Sequence, residues 1–246
     1  GNTPHDPNVP NDHIVEGKDI VTIKLFAIDP TTGLVAKDAS GNYLLANNAD
    51  EGTSAKYIAY AFKDGTTTFN DTTRAELPQV GKVNVTFNNA SATGVTTTQT
   101  ANDGSQDFDN LGQTVIIGES FGTKVFKDIL TESGENYTVT ITTGTYAPHT
   151  NGGYESVTID TTAVTTTIKD SATPLKVFVK IEAVTDTVFE SQNLKYKVTI
   201  VDESGNPVIV PTGKNIIVAL DYSDNGANPA ENDDYTKVTT VTIVGG

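Results

Sequence analysis

Cysteine, methionine and tryptophan are all absent from this chain of 246 residues. Without cysteine there is no disulfide brace, no thiolate nucleophile and no soft-metal ligand. A secreted domain below about 80 residues usually needs disulfides, whereas a longer repeat buries enough surface to do without them, and calcium is a common alternative brace. Methionine is missing even at position 1, and the expectation is of a processed or excised piece. Carbohydrate-active enzymes line their clefts with tryptophan, and there is none here. No apolar run reaches the roughly 18 residues that a membrane-spanning helix needs. Positive charge is also scarce. Sixteen Lys and Arg face 31 Asp and Glu, for a net charge of −15. Such a chain repels phosphate backbones and anionic membrane surfaces, which argues against nucleic-acid and membrane partners. The three histidines (His5, His13, His149) are scattered, against a histidine-based metal site. No Gly-x-Ser-x-Gly or Walker pattern occurs, and the expectation is of a protein that is not an enzyme.

What the chain does have is threonine, 40 residues of it, in runs such as Thr66–Thr68 and Thr165–Thr167. A β-branched hydroxyl residue suits a half-solvated strand and disfavours a helix. The runs are irregular and read as ordinary strand surface rather than a flat ice-binding face. Alternating segments separated by Gly, Asn and Asp recur along the chain, clearest at Val21–Ala27, Lys56–Phe62, Val83–Phe87, Val115–Ile117, Tyr137–Thr142 and Val157–Ile159. Short strands at such spacing describe an all-β sandwich. Residues 1–13, with Pro4, Pro7 and Pro10, read as a linker or disordered arm. Four sequons (Asn70, Asn84, Asn89, Asn136) are chance matches in so threonine-rich a sequence.

The chain also matches itself. Ile23–Ala27 corresponds to Val179–Ala183, Glu51–Tyr57 to Glu190–Tyr196, Leu77–Lys82 to Val210–Lys214, Val83–Phe87 to Ile216–Leu220, and Asp107-Phe108 to Asp234-Tyr235, all in one order. Two domains follow, residues 14–172 and 173–246. The first carries an extra stretch, Pro30–Asn48, holding the turn sequences Asp29-Pro-Thr-Thr-Gly33 and Asp38-Ala-Ser-Gly-Asn42. It reads as an inserted hairpin that protrudes without joining the core. The second copy lacks counterparts of the first copy's closing strands. The expectation is that the parent chain continues with them, and that the run Lys237–Ile243 forms an edge needing cover.

Phe189-Glu-Ser-Gln-Asn-Leu-Lys-Tyr-Lys-Val-Thr-Ile200, then Val218-Ala-Leu-Asp-Tyr222 and Asp234-Tyr235, resembles the opening half of a Calx-β repeat. Asp107–Leu111, Gly112–Ile117, Ile129–Tyr137 and Ile168–Asp170 resemble the closing half. Copies so acidic, threonine-rich and cysteine-free are similar to those of giant bacterial RTX adhesins exported by type I secretion. The resemblance implies tandem immunoglobulin-like (Calx-β-like) sandwiches, the second incomplete, with calcium held at one end by loop carboxylates. Carried onto this chain, the ligands are Glu51, Asp107, Glu132 and Asp170 in the first domain. In the second they are Glu190, Asp221 and Asp234, with Asp224, Glu231 and Asp233 close by. The first domain departs from the pattern where Asn88-Asn89 replaces the Asp-Tyr step.

The function expected is that of a calcium-binding extracellular module on the bacterial surface, flanked by further repeats and serving adhesion and biofilm attachment. One alternative is that the first domain itself binds a cell-surface glycan or peptide. Another is a fragment of a carbohydrate-active enzyme.

Overall fold

The computed structural model describes residues 20–95, 106–130, 134–150, 152–185, 187–189, 191–211, 213–223 and 235–245. The proline-rich arm lies outside them. By its contacts the chain divides into two compact units, one built mainly from residues up to 172 and one from 173 onward, the latter taking in 128–130.

Unit 1 contains β1 (Ile20–Ala27), β2 (Ala46–Asp50), β3 (Ser54–Lys63), a one-turn helix α1 (Asp71–Arg74), β4 (Lys82–Asn89), β5 (Gly94–Val95), β6 (Phe108–Asp109), β7 (Gln113–Ile116), β8 (Ser120–Lys124), β9 (Asn136–Ile141), β10 (Ser156–Ile159) and β11 (Val164–Lys169). Unit 2 contains β12 (Val177–Ala183), β13 (Tyr196–Asp202), β14 (Asn215–Ala219) and β15 (Thr240–Val244). The class is all-β.

Strand β4 shows why the pattern folds this way. Val83, Val85 and Phe87 are buried, while Lys82, Asn84, Thr86 and Asn88 between them face water, the period of two that a half-buried strand imposes. β4 lies in a sheet of order β2-β11-β9-β4-β7, which faces a second sheet of order β10-β1-β3-β8. Inward residues of both sheets, among them Ile23, Leu25, Tyr57, Val85, Phe108, Tyr137, Val139 and Val164, make one apolar core. Phe108 and Tyr137 stack within it, ring centroids 3.9 Å apart. Three ladders are parallel, β1 with β10, β2 with β11 and the two-residue pair β5 with β6.

Two expectations fail in unit 1. The Pro30–Asn48 segment does not protrude free of the core. Tyr43 is only 6% exposed and packs on the outer face of β1 and β3 against Phe26, Tyr60 and Phe62. Asn47 and Ala49 of β2 are buried as well. The cause lies in β1 and β3, which carry large apolar side chains on both faces, so the outer face also demands a cover. Nor is the Thr165–Thr167 run mere surface. Thr166 is fully buried; its hydroxyl meets that of Tyr57 and donates to Asn47 Oδ1 at 2.7 Å, while Tyr57 donates to Tyr137 at 2.9 Å. Asn47 Nδ2 finishes the network on the Lys56 carbonyl, 3.0 Å away.

The register repeats between the units. Ala27 faces Tyr57 across β1 and β3, and Ala183 faces Tyr196 across β12 and β13. β4 pairs antiparallel with β7, and β14 with β15. A five-residue turn of one kind also occurs in both units at different places, Asp38–Asn42 between β1 and β2 and Asp202–Asn206 after β13, each with a glycine at positive φ in fourth place (Gly41 83°, Gly205 81°). Unit 2 forms two separate two-stranded sheets, joined by a small cluster of Ile200, Val208 and Val210 with Ile129, Ile216 and Ile243 around it. Among the described residues the Lys237–Ile243 run pairs through its C-terminal part, as β15, with β14 alone and so lies on an edge, and β12 is exposed at every residue.

Candidate functional site

One end of unit 1 gathers three of the proposed ligands. The chain leaves β2 at Asp50 and turns at once, the Thr53 amide donating to the Asp50 carbonyl at 3.1 Å. Gly52, at φ 78°, takes the left-handed conformation that a side chain would oppose. The Glu51 amide donates to the carbonyl of Lys169, the last residue of β11, at 2.9 Å. Because β2 and β11 run parallel, their ends coincide, and Glu51 and Asp170 arrive together. The Ser171 amide donates to Glu51 Oε2 at 3.4 Å.

Asp107 reaches the same end by a different route. The Gly52 amide donates to Val125 O (3.2 Å), the Val125 amide returns a bond to Thr53 O (2.9 Å), and the Phe126 amide donates to Asp107 O (2.8 Å). Asp107 is thus separated from the Glu51 turn by the Val125-Phe126 segment, which bonds to both. Its carboxylate accepts the Thr93 amide. Beside it in the chain, Gln106 Oε1 and Asn110 Oδ1 are buried without a hydrogen-bond partner. Such oxygens cost free energy unless water or an ion completes them. The orphan amide oxygens gave no signal in the sequence, since nothing about Gln or Asn forecasts burial.

Glu132, the fourth candidate in this unit, lies outside the described residues. Among those described, no three of His, Asp and Glu come together closely enough to share a metal ion. The donor set at this end is nevertheless all oxygen, carboxylate and amide carbonyl, which is the chemistry a hard cation such as calcium selects. It fits calcium in kind, while the described carboxylates do not close into a cage.

In unit 2, Asp221 follows β14, and its Oδ1 accepts the Tyr222 amide at 2.9 Å. Glu190, Asp224, Glu231, Asp233 and Asp234 lie outside the described residues. Their surroundings are visible at the loop's base. Tyr222 and Tyr235, the tyrosines of the two Asp-Tyr steps, meet with centroids 5.9 Å apart, and Lys237 Nζ lies 5.9 and 5.4 Å from the two ring centroids. The Tyr222 hydroxyl donates to Val238 O at 3.0 Å, and the Leu220 amide to Thr239 O at 2.9 Å, so both stems of the acidic loop are tied together.

Other carboxylates are already committed to structure. Backbone and side-chain amides of Asn42 hold the Asp38 carboxyl below its usual range, and the Asn206 side chain and backbone amides do the same for Asp202. Asp160 pairs with the buried Lys24 ammonium on the outer face of β1.

No protein-family model matches the chain, and no curated protein matches its sequence. Among solved structures the chain is similar to the apo form of the Calx CBD1 domain, at 12% identity and a TM-score of 0.32, over 62% of this chain and 98% of that one. It is also similar to CBD12 from CALX1.2, at 11% identity and a TM-score of 0.29, over 75% of this chain and 72% of that one.

Proposed function

We propose that this chain is a calcium-binding, extracellular repeat module of a large bacterial surface adhesin, a structural element that extends or mediates attachment rather than a catalyst. The observation that carries the calcium assignment is the pair of unpartnered oxygens of Gln106 and Asn110 beside Asp107, at the same end of unit 1 as the ends of β2 and β11 that bear Glu51 and Asp170. Carboxylates brought together repel one another until a cation joins them. The net charge of −15 adds to that repulsion across the molecule, and the absence of cysteine leaves cation binding as the available brace. The cell-surface and adhesive roles rest on the sequence character described above. A sugar-binding role for unit 1 draws no support from its aromatic cluster, because Phe26, Tyr43, Tyr60 and Phe62 are buried under their own loops.

Calorimetric titration with calcium after EDTA treatment tests the assignment, paired with melting curves in either condition. A cation bound only by the folded state adds about 2.7 kcal/mol at a hundredfold excess over Kd. Asp107→Asn and Glu51→Gln are expected to weaken the unit 1 site, and Asp221→Asn to leave it unchanged. Identical melting curves in calcium and EDTA, with no heat of binding, would sink the assignment.

A further inference from the structure

Lys127 is half-buried, although lysine is mostly exposed in folded chains. The reason lies in the segment it follows. Val125 and Phe126 bond to Gly52, Thr53 and Asp107, so the backbone is held on both sides just before Lys127. Its side chain then lies across the Glu51 turn. A Cβ added to Gly52 would meet Lys127 Cβ at 3.6 Å and Cδ at 3.7 Å, so the aliphatic stem runs along the bare face of that glycine. The ammonium stands just beyond Cδ, and a stem so placed keeps it beside the turn that Glu51 opens, where the Ser171 amide next to Asp170 also meets the Glu51 carboxylate.

The other lysines of this end are placed differently. Lys124 holds its ammonium 5.4 Å from the Phe126 ring centroid, and Lys169, the last residue of β11, is exposed. Glu51, Asp107 and Asp170 are half-buried, like Lys127. Charges so placed are screened by salt less than exposed ones. One positive charge among them relieves part of their mutual repulsion. The same charge repels an incoming divalent cation.

We propose that Lys127 is the resident counter-ion of this acidic end and sets the calcium level at which it fills. Its ammonium braces the carboxylates while calcium is scarce and gives way as the cation enters. The second half of this inference rests on the calcium assignment, whereas the bracing of the cation-free chain does not.

Lys127→Met keeps the stem and removes the charge, and Lys127→Arg keeps the charge. Lys82→Met removes the same charge at the opposite end of unit 1, because β4 starts there and finishes at Asn89, beside the start of β9 and the close of β11. Calorimetric titration of the whole chain with calcium chloride, together with melting curves in EDTA at low salt, tests the proposal. Lys127→Met is expected to bind calcium about threefold more tightly, the order that one partly exposed charge supplies. In EDTA it is expected to melt below the wild type, with sodium chloride narrowing the gap. Lys127→Arg and Lys82→Met are expected to stay close to the wild type in both measurements. Circular dichroism checks folding, and Lys127→Gln takes the place of Lys127→Met should that variant not fold. Unchanged or weaker calcium binding by Lys127→Met overturns the proposal, as does an unchanged melting temperature in EDTA or an equal gain in Lys82→Met. A wild type that takes up no calcium removes the calcium assignment instead, and leaves the EDTA curves to decide whether Lys127 braces the carboxylates.

Discussion

Thr166 carries more of unit 1 than its chemistry suggests. Its hydroxyl links the Tyr57 phenol to Asn47, and Asn47 ties β2 to the inner strands β1 and β3 of the other sheet through Ile28 O and Lys56 O. Thr166→Val keeps the shape and strands two buried polar groups, so the expected loss is about 1–3 kcal/mol, measurable by urea unfolding. A loss near zero would mean that the neighbours find other partners. Asp160 governs a different variable. Burial pushes its carboxyl up, but the Lys24 ammonium and the Thr162 hydroxyl and amide outweigh that, and the group ends below its usual range. A lowered folded pKa gives stability that is present above the unfolded value, about 4, and lost as pH falls through the lower folded value. Asp160→Asn is therefore expected to flatten the acid limb of a stability-versus-pH curve. An acid limb unchanged in the variant would assign the effect elsewhere.

At the level of elements, alternation was legible wherever one face of a strand is wet. Val83–Phe87 and Tyr137–Thr142 read directly as β4 and β9. β2 was missed, and β11 was read as a strand with a wet threonine face, because Ala-Asn-Asn-Ala-Asp and Val-Thr-Thr-Thr-Ile-Lys bury Asn47 and Thr166, residues whose types signal surface. The cover over β1 and β3 was missed for a related reason. Its anchor, Tyr43, is one aromatic between turns, and only the doubly apolar β1 and β3 disclose that it has a surface to meet. Tyr43→Ala removes contacts to Phe26, Tyr60 and Phe62 and the hydroxyl's bond to Asp71, and is expected to cost about 3 kcal/mol in urea unfolding. A cost of a few tenths would restore the view that the segment is dispensable. Of the candidate site, the carboxylates were named through family likeness alone, whereas the shared end of β2 and β11 that carries Glu51 and Asp170 depends on a parallel ladder between residues more than a hundred positions apart, and no local pattern encodes that.

For the whole molecule, the same charge that keeps it soluble opposes its compactness. In EDTA the melting temperature is expected to rise with sodium chloride, since salt screens self-repulsion. A melting temperature that falls or stays flat would mean that ion pairs such as Lys24–Asp160 dominate over net repulsion. The path of the chain through unit 1 has a mechanical consequence. β1 begins at Ile20, beside Lys63 and Ser156, and its far end, Ala27, lies beside Tyr57, near the Glu51 turn where β11 finishes at Lys169. Tension on the polypeptide therefore enters at one pole of the unit and leaves at the other, along the strands. Pulled this way, β1 must slide against β3 and β10, and β11 against β2 and β9, so the rungs of each ladder carry the load together rather than opening one by one like a zip. Resistance of that kind is set by the rate of forced unfolding rather than by equilibrium stability.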